Sequence, residues 1–227
     1  MKLGSMIALD MRFQFRYGFY FLYFFLTLLY CAMLAAFPPA WQSRIAVLLI
    51  FSDPAAIGLF FMGAIVLYEK SERVLDSLAV SPVSACEYII SKLVSLALVS
   101  TLAALCIGGA GSLLRHPLYF ILAVFFGSCL FSALGLMVAV LVPTLNAFIL
   151  AVVPFEIVIN IPAVAYIFGW RPSWILFHPG VSMVELFGAG ERSALALAIL
   201  VVWTLLVMLA ARGVVKRAFE TLGGIRL

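Results

Sequence analysis

The sequence contains very little charge. Asp, Glu, Lys and Arg make up 11% of its 227 residues, whereas 66% of the residues are hydrophobic. Soluble globular domains carry about 25% charged residues, so this composition excludes a soluble protein and predicts an all-α chain that crosses a lipid bilayer. Each span needs roughly 20 apolar residues. Residues 1–227 therefore have room for about six spans in a single transmembrane domain and for no soluble domain.

Cysteine and histidine are also scarce. The four cysteines are scattered without a C-x-x-C pair, which predicts free thiols. His116 and His178 are isolated, and this spacing disfavours a metal site. No G-x-x-x-x-G-K-[ST] occurs, so the chain has no P-loop for ATP. The net charge of +4 follows the ends of the apolar segments, which indicates membrane topology and not nucleic-acid binding.

The charge that is present is concentrated in one stretch, residues 68–92, between two long apolar segments. This position predicts a water-exposed loop between the second and third spans, with its core at residues 69–84. The stretch holds seven of the chain's 14 basic and 10 acidic residues, namely Glu69, Lys70, Glu72, Arg73, Asp76, Glu87 and Lys92.

The first half of this loop has the pattern of a short amphipathic helix. Glu69 and Arg73 form an i,i+4 pair in the favourable order, with the acid nearer the N-terminus. Leu75 and Leu78 fall on one helical face. Two interpretations follow from the residues. The helix receives a push from a soluble partner, or it lies on the lipid headgroups.

The second half of the loop contains a helix stop and a helix start. Pro82 disfavours the helical conformation of the residue before it, so the first helix is expected to end there. Ser84 and Glu87 have the spacing of a capping box ahead of an apolar run. The third span is therefore predicted to begin directly after a sharp break.

The remaining segments are assigned by their apolar runs. Residues 1–16 are predicted to form an interfacial helix, residues 169–192 an outer re-entrant segment broken by prolines and glycine, and residues 212–227 a basic cytoplasmic tail. The run that follows the first segment is too long for a cleaved signal peptide. The six predicted spans are 17–37, 45–68, 88–114, 118–142, 147–168 and 193–211.

Three polar residues fall inside predicted spans. Asp53 precedes a proline, which favours the N-cap of a helix over a functional carboxylate. Glu156 and Asn160 share one face of the fifth span. A carboxyl at that depth costs at least about 2.5 kcal/mol unless it is paired or protonated. Asp53, Glu156 and Asn160 are therefore candidates for a substrate pathway, and a structural hydrogen bond remains an equal alternative for Glu156.

The distribution of basic residues predicts the orientation. Ten Lys and Arg residues fall on one side of the six spans and four on the other. The richer side is cytoplasmic by the positive-inside rule. The protein is therefore expected in the cytoplasmic (inner) membrane, with both termini and residues 69–92 on the cytoplasmic side. Arg44, Arg115 and Arg171 are expected on the outer side.

The charged stretch resembles the first cytoplasmic loop of ABC-2 type permeases, the membrane subunits of bacterial ATP-driven exporters. The matching residues are 67–73, 75–78, 81–84, 87–88 and 92, and residues 51–54 with Gly58 are similar to the drug-exporter branch. Val74 departs from the pattern, since many relatives carry Thr there.

The resemblance implies a coupling helix in this loop, a re-entrant segment before the last span, and a pathway formed by two permease copies. It also implies a separate ATPase subunit that holds ATP and Mg, so the chain itself is expected to be a non-enzymatic exporter subunit without a cofactor. The residues expected to couple to that ATPase are Glu69, Glu72, Arg73, Leu75, Asp76, Leu78 and Pro82.

Two other functions remain as alternatives. A self-contained secondary transporter could use Asp53 and Glu156 as proton sites, although such folds usually have matching broken helices in two halves. An intramembrane enzyme needs a nucleophile and a base, and neither histidine lies deep in a predicted span. Dependence of transport on ATP distinguishes the permease from both.

Overall fold

The computed structural model describes residues 3–52, 58–188 and 190–222. Within these ranges the chain forms ten α-helices, one short 3-10 helix at Ser173–Phe177, and no strand, so the all-α prediction is confirmed. The α-helices are α1 Leu3–Arg16, α2 Phe19–Ala36, α3 Pro39–Ser52, α4 Leu59–Ser71, α5 Val74–Ala79, α6 Ala85–Ala110, α7 Pro117–Leu141, α8 Leu145–Ile167, α9 Pro179–Gly188 and α10 Ser193–Leu222.

Five of the described helices are long and apolar enough to cross a membrane, namely α2, α6, α7, α8 and α10. The chain is therefore a multi-pass membrane protein. The predicted span 45–68 is divided between α3, with 14 residues, and α4, with 13. At 1.5 Å per residue each covers only about 20 Å, less than the roughly 30 Å of a hydrocarbon core. Asp53, the predicted helix cap, lies outside the described residues.

Helices α6 and α7 form the centre of the molecule. In their most apolar windows, 56% and 67% of the residues are buried, against 11% in α2 and 22% in α8. Small residues allow helices to approach α7 closely. A Cβ added at Gly135 would lie 2.4 Å from the carbonyl oxygen of Leu59. Helix α4 therefore crosses α7 at a point where only glycine fits.

The charged loop departs from the prediction at its first helix. Helix α4 continues to Ser71, Arg73 has a left-handed backbone with φ of 55°, and α5 begins at the next residue. Since Arg73 lies in a turn, the predicted Glu69–Arg73 helical pair is wrong. Helix α5 ends at Ala79, ahead of Pro82, and packs against α4 and α10.

The predicted capping box is confirmed at the start of α6. The Ser84 hydroxyl accepts a hydrogen bond from the Glu87 amide at 3.2 Å, and the Ser84 amide donates to Glu87 Oε2 at 2.9 Å. These two bonds satisfy backbone groups that a helix start otherwise leaves unpaired. The sharp break before the third predicted span is therefore built by local side chains.

The segment before the last span contains two short helices, the 3-10 helix at Ser173–Phe177 and α9. Most of α9 is buried, and it packs against α3, α7, α8 and α10. Helix α10 then runs without a break to Leu222. The predicted tail from residue 212 is therefore, as far as it is described, a continuation of the last span.

Candidate functional site

A buried ion cluster joins three helices beside the charged loop. The Lys92 ammonium of α6 lies 2.6 Å from Glu69 Oε1 of α4 and 2.9 Å from Asp10 Oδ1 of α1. Lys92 is only 3% exposed and Glu69 is 6% exposed. We call Asp10, Glu69 and Lys92 the ion cluster. One cation is shared by two carboxylates, so the cluster fixes α1 to the two helices that flank α5.

Neighbouring hydroxyls complete the hydrogen bonding of the two carboxylates. The Tyr88 hydroxyl donates to Glu69 Oε2 at 2.8 Å, and the Ser91 hydroxyl donates to Asp10 Oδ2 at 2.6 Å. The Lys92 ammonium also lies 5.0 Å from the centre of the Tyr88 ring. Buried charges are tolerated when partners satisfy them in this way. The cluster therefore joins three helices, and each of its charged groups has a partner.

The residues of α6 in this region lie on one helical stripe. Tyr88, Ser91, Lys92 and Ser95 are spaced at i, i+3, i+4 and i+7, and Gln14 of α1 donates to the Ser95 hydroxyl at 2.7 Å. This polar stripe in an otherwise apolar helix was a signal in the sequence. The sequence pattern assigns Lys92 to the water-exposed loop, and the predicted site residues include none of Asp10, Tyr88 and Lys92.

A second contact fastens α4 to the end of α7. The Lys70 ammonium donates to the carbonyl oxygens of Ala139, Val140 and Val142 at 3.1, 2.9 and 2.8 Å. These carbonyls lie at the C-terminus of α7, where a cation interacts favourably with the helix dipole. Both Glu69 and Lys70 therefore fasten α4 to neighbouring helices.

The seven predicted coupling residues have different environments. Leu75 is 3% exposed and belongs to the chain's own apolar core, and Leu78 is partly buried against the same core. The prediction that these two leucines form an apolar face open to a partner is therefore wrong for Leu75, because α5 packs that face inward against α4 and α10. Glu69 is buried in the ion cluster. The coupling residues that remain exposed are Glu72, Arg73, Asp76 and Pro82.

Glu156 and Asn160 contact each other on α8. Asn160 Nδ2 donates to the Glu156 carbonyl oxygen at 2.9 Å and also to Glu156 Oε2. Glu156 Oε1 is buried and has no hydrogen-bond partner in the described part of the chain. Large apolar side chains around them are exposed, including Phe155 at 41% and Ile157 at 51%. The pair is thus a polar patch on a helix whose outer face packs against nothing within the described chain.

A polar cavity lies at the C-terminal end of α8. Its volume is about 520 Å³, and its lining includes Arg44, Tyr166, Arg171 and Glu185. The Tyr166 hydroxyl donates to Glu185, and the Arg171 guanidinium lies 4.8 Å from the centre of the Tyr166 ring. Across the described ranges, no group of three His, Cys, Asp or Glu side chains could hold a metal ion.

The fold and the cluster define a class of protein, a multi-pass membrane protein in which buried ion pairs join the helices beside the charged loop. Comparison with known proteins gives the family. Residues 1–221 match the model of the fluoroquinolones export permease protein family, so the chain belongs to that family of ABC-2 type export permeases.

Two proteins of Mycobacterium tuberculosis are similar to this chain. They are the fluoroquinolones export permease proteins of strains CDC 1551 / Oshkosh and ATCC 25618 / H37Rv. Each is 26% identical to this chain over 193 residues, which cover 83% of this chain and 80% of the relative. Both are named as transport proteins, in agreement with the prediction that this chain is an export permease.

Proposed function

We propose that this chain is the membrane subunit of an ATP-binding-cassette exporter, driven by a separate ATPase subunit that binds ATP and Mg. The observation that carries the proposal is the position of α5. Asp76 of α5 is exposed, as are Glu72 and Arg73 in the turn before it, while the helix before α5 and the helix after it are joined by the buried Glu69–Lys92 ion pair. A partner that contacts α5 thereby acts on α4 and α6 together.

The ion cluster explains how a push would be transmitted. Separating the Glu69–Lys92 or Asp10–Lys92 pair leaves an uncompensated buried charge, which costs about 3 to 5 kcal/mol. If a push on α5 supplies less energy than this, the ion pairs stay intact, and α1, α4 and α6 move together as one unit. The closure of an ATPase dimer would then tilt these helices and change the access of the pathway.

The docking surface is the polar side of α5 and the turns around it. The exposed coupling residues Glu72, Arg73, Asp76 and Pro82 are joined there by Val80, which is 78% exposed. Leu75 and Leu78 contribute by holding α5 against the core. In this arrangement charge complementarity around a small apolar centre orients the partner and selects it.

The proposed topology has six spans and both termini in the cytoplasm of a bacterium, with the protein in the inner membrane. Helices α3 and α4 together form the second span, since neither is long enough alone. Residues 169–192 form the outer re-entrant segment, and the burial of α9 among four helices supports that assignment. The ten-to-four distribution of basic residues supports the orientation.

The translocation pathway is proposed to lie between two copies of the chain. Support comes from α8, where a partly buried carboxyl with an unpaired oxygen lies on a helix that is otherwise exposed. Glu156 and Asn160 line this pathway, and Asp53 is retained as a candidate from the sequence alone. Because both curated relatives are named for fluoroquinolone export, the proposed substrates are planar aromatic acids of this class.

The decisive experiment measures the energy source. Inverted membrane vesicles from cells that express the chain with its ATPase are incubated with ATP and a fluorescent fluoroquinolone in the external medium. We expect uptake that requires hydrolysable ATP and continues when an ionophore removes the proton gradient. Uptake without ATP that the ionophore abolishes would establish the secondary transporter and refute the exporter subunit.

A further inference from the structure

A cavity opens between the interfacial helix α1, the charged loop and α6. Its volume is about 420 Å³, within the range of ligand sites. Most of its lining is apolar, contributed by Met6, Leu9 and Phe13 of α1 and by Val74 and Leu78 of α5. Asp10, Glu69 and Lys92 of the ion cluster also line it. The cavity therefore combines an apolar interior with a charged boundary.

Two arginines give this cavity its unbalanced charge. Arg12 and Arg16 line it, both are exposed, and they lie at i,i+4 on α1. In the described part of the chain neither is within ion-pair distance of a carboxylate, because Asp10 and Glu69 are both paired with Lys92. Like charges at i,i+4 destabilise a helix. An anion that bridges the two guanidinium groups would remove this repulsion.

We propose that this cavity binds an anionic phospholipid, with the phosphate between Arg12 and Arg16 and an acyl chain against Leu9, Val74 and Leu78. Guanidinium groups bind phosphate through paired hydrogen bonds. The cytoplasmic leaflet, where α1 lies in the proposed topology, is the anionic leaflet. Helix α1 also exposes apolar residues, with Phe15 at 75%, as expected of a helix lying in the membrane interface.

A lipid at this position would contact both α1 and α5. Val74 and Leu78 belong to the short helix proposed to dock on the ATPase, so the lipid would fill the space between that helix and α1. The binding itself does not depend on transport, and it can be tested without the ATPase.

The test uses the full-length chain in nanodiscs of equal parts phosphatidylglycerol and phosphatidylcholine, with native mass spectrometry to count retained lipids. We expect one phosphatidylglycerol in preference to phosphatidylcholine. Arg12→Gln with Arg16→Gln is expected to weaken this retention by about twenty-fivefold, since each surface cation near anionic lipid contributes roughly a fivefold effect. The matched control is Lys216→Gln with Arg217→Gln, which removes two exposed cations of α10 away from the cavity and is expected to retain the lipid.

A second variant tests the apolar part of the cavity. Val74→Trp adds an indole without changing charge, and we expect it to reduce phosphatidylglycerol retention while the thermal unfolding temperature stays near that of the wild type. Equal loss in the Lys216 and Arg217 control would overturn the proposal in favour of general surface attraction. Unchanged retention in Val74→Trp, equal binding of free glycerol phosphate, or displacement of the lipid by a stoichiometric fluoroquinolone would overturn it as well.

Discussion

At the scale of single residues, the ion cluster is the most consequential feature of the chain. Lys92 lies in a membrane helix, where an isolated ammonium would be costly. Its two carboxylate partners come from α1 and α4, and Tyr88 and Ser91 complete their hydrogen bonding. The cost of burying the charge is offset only while all three members are present. This dependence makes Lys92 a sensitive position for substitution.

We predict that Lys92→Met lowers the free energy of unfolding by about 3 to 5 kcal/mol, because Glu69 is then left as a buried carboxylate, and Asp10 as a partly buried one, without a counter-ion. Unfolding of the purified protein in detergent measures the change. Lys216→Met is the control, since its pair with Glu220 is 3.6 Å long and exposed and such pairs contribute at most about 1 kcal/mol. Equal effects of the two substitutions would contradict the structural role of the cluster.

Substitution of Glu156 can distinguish its two possible roles, a structural hydrogen bond and a carboxyl that titrates. We predict that Glu156→Gln inserts and transports normally, because glutamine keeps an acceptor for Asn160 and removes a charge that costs about 2.5 to 3.5 kcal/mol at mid-span. Glu156→Leu lacks that acceptor and is expected to reduce transport. Fluoroquinolone uptake into vesicles measures both variants. Equal loss in the two would instead indicate a carboxyl that titrates during transport.

At the scale of elements, α5 is a short helix with one apolar side that packs inward and one polar side that is exposed. Its apolar side, with Leu75, packs against α4 and α10, and its polar side, with Asp76, faces solvent. Six residues form less than two turns, too few for a helix to be stable by itself. The helix is therefore held in place by packing and by the ion cluster beside it.

We predict that Asp76→Lys combined with Val80→Asp abolishes association with the ATPase and leaves thermal stability within about 0.5 kcal/mol of the wild type, since surface changes have small effects on folding. Leu75→Asp is the contrasting variant. It places a carboxylate in the core and is expected to lower stability by several kcal/mol. Co-purification with the ATPase and thermal unfolding test both. Undiminished ATPase binding by the first variant would remove α5 from the interface.

At the scale of the whole molecule, burial is concentrated in α6 and α7, while few residues of α2 and α8 are buried. In a bilayer such exposed apolar helices face either lipid or a second copy of the chain. The polar pair Glu156 and Asn160 lies on one of them. This arrangement is consistent with a pathway that is completed only when two copies meet.

The orientation of the whole chain can be tested with two serines that are exposed in the structure. In a background without native cysteines, Ser173→Cys is expected to react with a membrane-impermeant maleimide on intact cells, and Ser71→Cys only after the cells are opened. The charge asymmetry of the loops is the physical reason. Labelling of position 71 from outside would reverse the proposed topology.

Composition and short-range residue patterns are sufficient to predict the membrane class, the helical fold and the start of α6. These properties depend on composition and on residues a few positions apart, as in the Ser84–Glu87 capping box. The family resemblance came from the residues of the charged loop, because their order is itself the pattern.

The way that loop is held depends on contacts between residues far apart in the sequence. Asp10 and Lys92 are 82 positions apart, and nothing in their local sequence specifies that α1 crosses α6 at that point. For the same reason the sequence placed Leu75 toward a partner, whereas packing against α10 turned it inward. An amphipathic helix has one apolar face whether it covers the chain's own core or another protein, and long-range packing alone decides between them.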